Sequence, residues 1–151
     1  MTPQWIKEKF GYSYVGVFHE GLAMAENKEG KLFHVRWNGE KAYESEYDQV
    51  GDFQEGLAIA KKSNEWFHIS HNGEPAYLQR FKLASNFNEG LALVRDEAGY
   101  FHINHYGEQA YANRFRIAQD FEGDHAKVIT TDMVRISIFP DATVARVFPK
   151  Q

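Results

Sequence analysis

A unit of about 34 residues recurs along this chain, and that period restricts the fold more than any other feature. Phe18-His19-Glu20-Gly21-Leu22-Ala23 returns as Phe53-Gln54-Glu55-Gly56-Leu57-Ala58, then as Phe87-Asn88-Glu89-Gly90-Leu91-Ala92. Phe33-His34-Val35 returns as Phe67-His68-Ile69 and Phe101-His102-Ile103. Asn38-Gly39-Glu40 returns as Asn72-Gly73-Glu74 and Tyr106-Gly107-Glu108, and Ala42-Tyr43 as Ala76-Tyr77 and Ala110-Tyr111. Aligned without gaps, residues 53–86 and 87–120 share 16 of 34 positions. An aromatic residue stands six positions ahead of each unit's first Phe, at Tyr12, Tyr47, Phe81 and Phe115. A fourth, eroded unit keeps Phe121, Ala126 and Val128 but has lost the Glu-Gly-Leu signature. Units of this length bury their apolar faces by stacking on one another, so the chain is read as a repeat array.

Within each unit the apolar pattern has a period of two. Residues 57–60 follow a Glu-Gly turn, 67–70 alternate apolar and polar side chains, and Ala76-Tyr77 leads on toward Phe81. This predicts three short antiparallel strands per unit. Asn38-Gly39 and Asn72-Gly73 predict type I′ hairpin turns, whose two central residues both need positive φ. The expected fold is all-β, with three-stranded units in an open, solenoid-like stack. A propeller-like radial arrangement of the same units is the alternative. The whole of 1–151 is expected to form one repeat domain. In the frame of the leading aromatic, repeats span 12–46, 47–80 and 81–114, and 115–151 is the degenerate fourth repeat with a C-terminal cap. Residues 1–11 are read as an N-terminal cap, a short helix or irregular segment. There Thr2 stands as N-cap, Pro3 in the first turn and Gly11 at the end, with Trp5, Ile6 and Phe10 on one side.

Alternation divides the second strand into two faces. Phe67, Ile69 and His71 point one way, and Trp66, His68 and Ser70 the other. The same division gives Phe33, Val35 and Trp37 against Leu32, His34 and Arg36, and Phe101, Ile103 and His105 against Tyr100, His102 and Asn104. The Phe/Ile face is taken as core, which sets a row of one histidine per repeat on the opposite, exposed face. In the fourth unit a hairpin shorter by one residue puts Val134, Ile136 and Ile138 in the core. Arg135 then joins the histidine row, with Ser137 beside Ser70 and Asn104. His125 and Lys127 replace apolar residues of the earlier units, as a terminal repeat requires.

The recurring F-x-E-G-L-A element, the glycine turn and the 34-residue period resemble the WG-repeat family of bacterial proteins. The resemblance covers about residues 12–128. No Trp-Gly dipeptide is present: Leu32-Phe33, Trp66-Phe67 and Tyr100-Phe101 take its place, so the chain looks like an F-H-I variant. The resemblance implies β-rich binding or scaffold modules and no general chemistry.

Composition narrows the function further. The net charge is −4, and the 17 Lys and Arg are scattered among 21 acids, which argues against nucleic acid as partner. There is no cysteine, hence no disulfide framework and no thiolate chemistry. With no signal-like or membrane-spanning apolar run, a cytoplasmic protein that does not insert into membranes is the expectation.

Three constellations could carry function. Histidines in register (His34, His68, His102) could hold a transition metal, but no acid or thiolate recurs beside them, so no metal or cofactor is expected. Ser70 is near His68 but lacks an acid to orient the imidazole, and the hydroxyl does not recur, so no catalytic residue is assigned. Glu20, Glu55 and Glu89 precede turn glycines and are read as acceptors for backbone N–H groups at the turn. The expected recognition surface is the histidine face: His34, His68, His102 and Arg135, with Trp66 and Tyr100 beside them. The expected function is non-catalytic protein–protein recognition, as scaffold, adaptor or inhibitor. A glycan or cell-envelope ligand on the aromatic flank (Leu32, Trp66, Tyr100) is the second reading, and a metal-dependent enzyme using the histidine row the third.

Overall fold

The computed structural model describes residues 4–131 and 133–140 and the backbone of a last strand at 144–147. Thr2 and Pro3, the expected helix start, lie outside the described residues, as do residues 148–151 of the expected C-terminal cap. The chain divides into two compact units, residues 1–76 and 77–151.

Each repeat makes one small antiparallel sheet. In the first unit, helix α1 (Gln4–Phe10) precedes the sheet of β1 (Tyr14–Val15), β2 (Ala23–Glu26) and β3 (Leu32–Val35). Its second sheet joins β4 (Gln49–Val50), β5 (Ala58–Lys62) and β6 (Glu65–Ile69). In the second unit, β7 (Leu83–Ala84), β8 (Ala92–Asp96) and β9 (Gly99–Ile103) form one sheet. The other joins β10 (Ile117–Ala118), β11 (Ala126–Ile129), β12 (Arg135–Ile138) and β13 (Val144–Val147). The fold is all-β with no sheet closed into a barrel among the described residues. None of their helices is long and apolar enough to cross a membrane.

The third strand of each sheet lies elsewhere than expected. It is the two-residue pair just after the leading aromatic, such as Gln49-Val50, which pairs with Lys61 and Ala60. Ala76 sits in a bend instead, and its N–H reaches back to the carbonyl of His68 at 2.9 Å. Two residues between a turn and a buried aromatic suffice for a ladder, whereas the Ala-Tyr segment has to curve around the end of the sheet.

The type I′ geometry expected at the Asn-Gly turns is found at the Glu-Gly turns instead. At Glu20-Gly21 both residues have positive φ (53° and 81°), and His19 and Leu22 exchange both backbone hydrogen bonds, at 2.8 and 3.0 Å. This is the two-residue type I′ geometry, repeated at Glu55-Gly56 and Glu89-Gly90. At Asn38-Gly39 only the glycine has positive φ (86°). The Gly39 N–H donates to the Arg36 carbonyl at 2.8 Å, and the Arg36 N–H to the Glu40 carbonyl at 2.8 Å. That is a three-residue loop, a type I turn closed by a glycine in αL, so the expected type I′ at Asn38-Gly39 and Asn72-Gly73 is corrected. The Asn38 side chain stabilises it by accepting the Glu40 N–H at 3.0 Å.

Close packing fixes these loops. A Cβ on Gly39 would come within 2.4 Å of Phe10 and 3.1 Å of Ile6, and one on Gly73 within 2.4 Å of Tyr43. Helix α1 therefore does for the first repeat what Tyr43 does for the second. Ile6 is fully buried, but Trp5 is 46% exposed, so the helix presents only positions i and i+4, Ile6 and Phe10, to the sheet. Tyr12 and Tyr47 donate their hydroxyls to the carbonyls of Gly39 and Gly73 at 3.0 and 3.1 Å. Phe81 has no hydroxyl, and Gln79 donates to the Gly107 carbonyl in its place at 3.1 Å.

The fourth repeat keeps the expected parity but shifts by two residues. Lys127 pairs with Ser137 and Val128 with Ile136, where Leu93 pairs with His102 and Val94 with Phe101. Ser137, not Arg135, thus occupies the histidine position, and Arg135 takes the place of Tyr100. Ile138 is fully buried, while Val134 and Ile136 are only partly so. The hairpin is longer here, not shorter, because Thr130 starts its own turn with Met133 at positive φ.

Candidate functional site

The histidine row is inside the protein. His34, His68 and His102 are each 0% exposed, which corrects their expected place on an open recognition face. The His34 Nε2 lies 2.7 Å from the carbonyl oxygen of Gly51, in the next repeat, and its Nδ1 2.6 Å from the Tyr43 hydroxyl. His102 repeats this with Gln119 at 2.7 Å and Tyr111 at 2.6 Å. A carbonyl only accepts, so Nε2 carries the proton, and Nδ1 accepts from the tyrosine. Phe53 of the next repeat packs on the His34 ring at 4.4 Å, and Phe121 on that of His102 at 4.6 Å.

Electrostatics agrees with that bonding. Burial pushes His34 down to about 4, against a smaller upward pull from the Gly51 carbonyl. His102 is lowered for the same reason. Burial raises both tyrosine partners above the usual phenol range. Each triplet is a neutral Tyr–His–carbonyl chain that ties one repeat to the next, each hydrogen bond contributing on the order of 1 kcal/mol net. With both ring nitrogens of His34 and His102 engaged, neither offers a lone pair to a metal or to a nucleophile.

The other expected binding residues are distributed differently. Trp66 and Tyr100 are half-buried at the strand ends, beneath cross-strand cations: Lys61 Nζ is 5.5 Å from the Trp66 ring and the Arg95 guanidinium 5.9 Å from Tyr100. Arg135 is exposed. The structure does not gather these six residues on one surface.

A feature that alternation misassigned stands out instead. Alternation assigns Trp37 to the core face, but the strand ends at Val35, and the loop turns the indole out to 75% exposure. It lines a pocket of about 400 Å³ with Leu22, Ala42, Arg36, Glu20 and His71. Glu20 is the fixed point of this pocket. Its carboxylate accepts the Gly56 N–H of the next repeat's turn at 3.0 Å and meets His71 Nε2 at 2.9 Å. The expected bond from the turn glutamate to backbone N–H is present at Glu20, but to the neighbouring turn rather than its own. The sequence signal for the indole was its position immediately before Asn38-Gly39, at a loop tip where side chains leave the sheet.

Residues 38–66 match the WG-containing repeat. The matched segment includes Phe53-Gln54-Glu55-Gly56-Leu57-Ala58 and ends at Trp66, where the family's tryptophan was placed by resemblance. The WG repeat read from sequence is therefore present. A comparison with curated protein sequences finds no match. Among solved structures, the chain is similar to KlHsv2 with loop 6CD replaced by a Gly-Ser linker. Identity is 11% and the TM-score 0.61, over 93% of this chain and 54% of that one. It is similar to BamB from Moraxella catarrhalis at 13% identity and TM-score 0.54, over 89% of this chain and 47% of that one. It also resembles the computationally designed Ika8 protein at 7% identity and TM-score 0.56, over 91% and 48% respectively. The chain spans about half the length of these structures. At such identities the likeness concerns the fold alone.

Proposed function

We propose that the chain is a non-catalytic WG-repeat module that recognises a protein partner. The observation that carries this is Trp37, a large apolar side chain held in water on a loop that cannot relax. Gly39 is pinned beneath Phe10 and Ile6, and the Tyr12 hydroxyl bonds its carbonyl. A rigid, exposed tryptophan beside an arginine and a fixed carboxylate has the composition of an interface hot spot. Three quarters of the residue lies in water, where an apolar ring costs free energy.

No enzymatic role is proposed. His34 and His102 are engaged at both ring nitrogens in the Tyr–His–carbonyl chains, and Glu20 by a backbone N–H and His71. A cysteine-free chain suits a reducing compartment, so the reading places the module in the cytoplasm. A glycan is the second reading, favoured by the polar groups of Arg36, Glu20 and Asn72 around the indole.

The test is a pair of capture experiments with the full chain and with Trp37→Ala. The reading expects proteins retained by the parent to be lost by the variant, with an unchanged melting temperature. Retention of the same proteins by Trp37→Ala would refute it. Indole-dependent binding on a glycan array, without protein capture, would replace it with the second reading.

A further inference from the structure

The second unit carries a face whose charge is opposite to that of the chain as a whole. Three cations, Lys82, Arg95 and Arg116, line one pocket of about 340 Å³, and Tyr100 is part of its wall. The two acids beside them do little to neutralise it. Asp96 is occupied: one oxygen accepts the N–H groups of Ala98 and Gly99 at 2.9 and 3.2 Å, and the other the Arg114 Nε at 3.1 Å. Glu97 stands out in solvent, 3.9 Å from Lys82. Neither Arg95 nor Arg116 makes an ion pair among the described residues.

Strand register places an apolar side chain beside one of these cations. Leu83 pairs with Arg95, and Arg95 with Tyr100, so the three form one cross-strand row. In the next sheet Ile117 pairs with Ile129, and Ile129 with Arg135. Leu83 is 40% and Ile117 48% exposed. Two adjacent sheets thus each show an exposed aliphatic residue in a row that ends in, or passes, an arginine. The position of Arg116 is held by Lys82 in the third repeat but by Asp48 in the second, so the duplication alone does not produce this charge.

We infer that this face binds a segment of a partner protein in which carboxylates alternate with apolar side chains. Within the first row Leu83 adjoins Arg95, carboxylates answer the guanidinium groups that make no ion pair, and aliphatic side chains cover Leu83 and Ile117. Nucleic acid suits it less well. The three cations form one small cluster with two acids beside it instead of a stripe, and the −4 chain repels a polyanion at longer range. The inference rests on the reading of the chain as a recognition module but uses none of the residues around Trp37.

The test is fluorescence anisotropy at low salt with the full chain and a labelled peptide of alternating Glu and Leu. Saturable binding is expected, weakened about tenfold or more in Arg95→Glu/Arg116→Glu and progressively by added salt. Arg95→Gln/Arg116→Gln should fall between, and circular dichroism of both variants should match the parent. A peptide that fails to bind the parent, or binds the charge-reversed variant as tightly, overturns the proposal. So does tighter binding of single-stranded DNA or of a Lys-Leu peptide. Trp37→Ala should bind the acidic peptide as the parent does. Capture that survives Trp37→Ala, with peptide binding intact, would therefore sink the proposed function and leave this face standing, and Trp37-dependent capture without peptide binding would do the opposite.

Discussion

Gly73 lies under the ring of Tyr43, so that a Cβ there would stand 2.4 Å from the tyrosine Cγ, while the hydroxyl of the same tyrosine bonds His34 at 2.6 Å. One tyrosine thus joins the loop of the second repeat to the buried histidine of the first. Closing the space above Gly73 pushes on that histidine.

Gly56 offers the matched comparison for a glycine substitution. Its φ is the same as that of Gly73, +82°, but nothing lies within 4 Å of its Cβ position. Gly56→Ala should cost only the left-handed backbone term, about 1 kcal/mol. Gly73→Ala adds a clash with Tyr43 and should cost about 3 kcal/mol or more. Urea melts of the two variants measure the difference, and equal losses would mean that Tyr43 does not pack on Gly73.

Burial of a neutral His34 makes stability depend on pH. Its value is about 4 when folded and 6.5 when exposed, so between these values the unfolded chain binds the extra proton. The stabilisation is complete above pH 6.5 and is lost as pH falls toward 4, a change of roughly 3 kcal/mol for this one group. His102, lowered for the same reason, adds to it in the same direction. Melts of the parent should lose stability on that acid arm, and His34→Gln, which does not titrate, should lose less. Parallel curves for the two proteins would place His34 in water.

Ser137 tests the equivalence of positions in the fourth repeat. It sits where the other repeats carry histidine, is 2% exposed, and its hydroxyl finds no partner among the described residues. An unsatisfied buried hydroxyl is a cost, so Ser137→Ala should leave stability unchanged or raise it by about 1 kcal/mol. A loss of more than about 1 kcal/mol would show that the hydroxyl is bonded and the register is different.

Much of the architecture was legible in the sequence because turns and parity are local. Recurring glycines fixed where strands end, and alternation identified Phe33, Phe67 and Phe101 as core. The burial of the opposite face was not legible by the same route. Parity separates two faces of a strand but does not say that one is wet, and Phe53 of the next repeat covers His34. The clue was the tyrosine nine residues after His34 and after His102, a pairing that the fourth repeat loses together with its histidine. Trp37 escapes alternation for a related reason: it lies two residues past the end of the strand, where the period of two no longer holds. The shift in the fourth repeat escapes parity, because a hairpin one residue shorter and one residue longer give the same two faces, and Thr130 sets the longer turn.

The state of the imidazoles tests the account most directly, because it rests on histidines that join repeats and do not face a partner. Long-range proton–nitrogen correlation spectra across a pH titration report tautomer and charge at each ring. His34 and His102 should appear as neutral Nε2–H tautomers, with slowly exchanging ring protons and no transition near pH 6.5. Midpoints near 6.5, with ring protons exchanging as in a free peptide, would put the row in solvent and return it to the recognition surface.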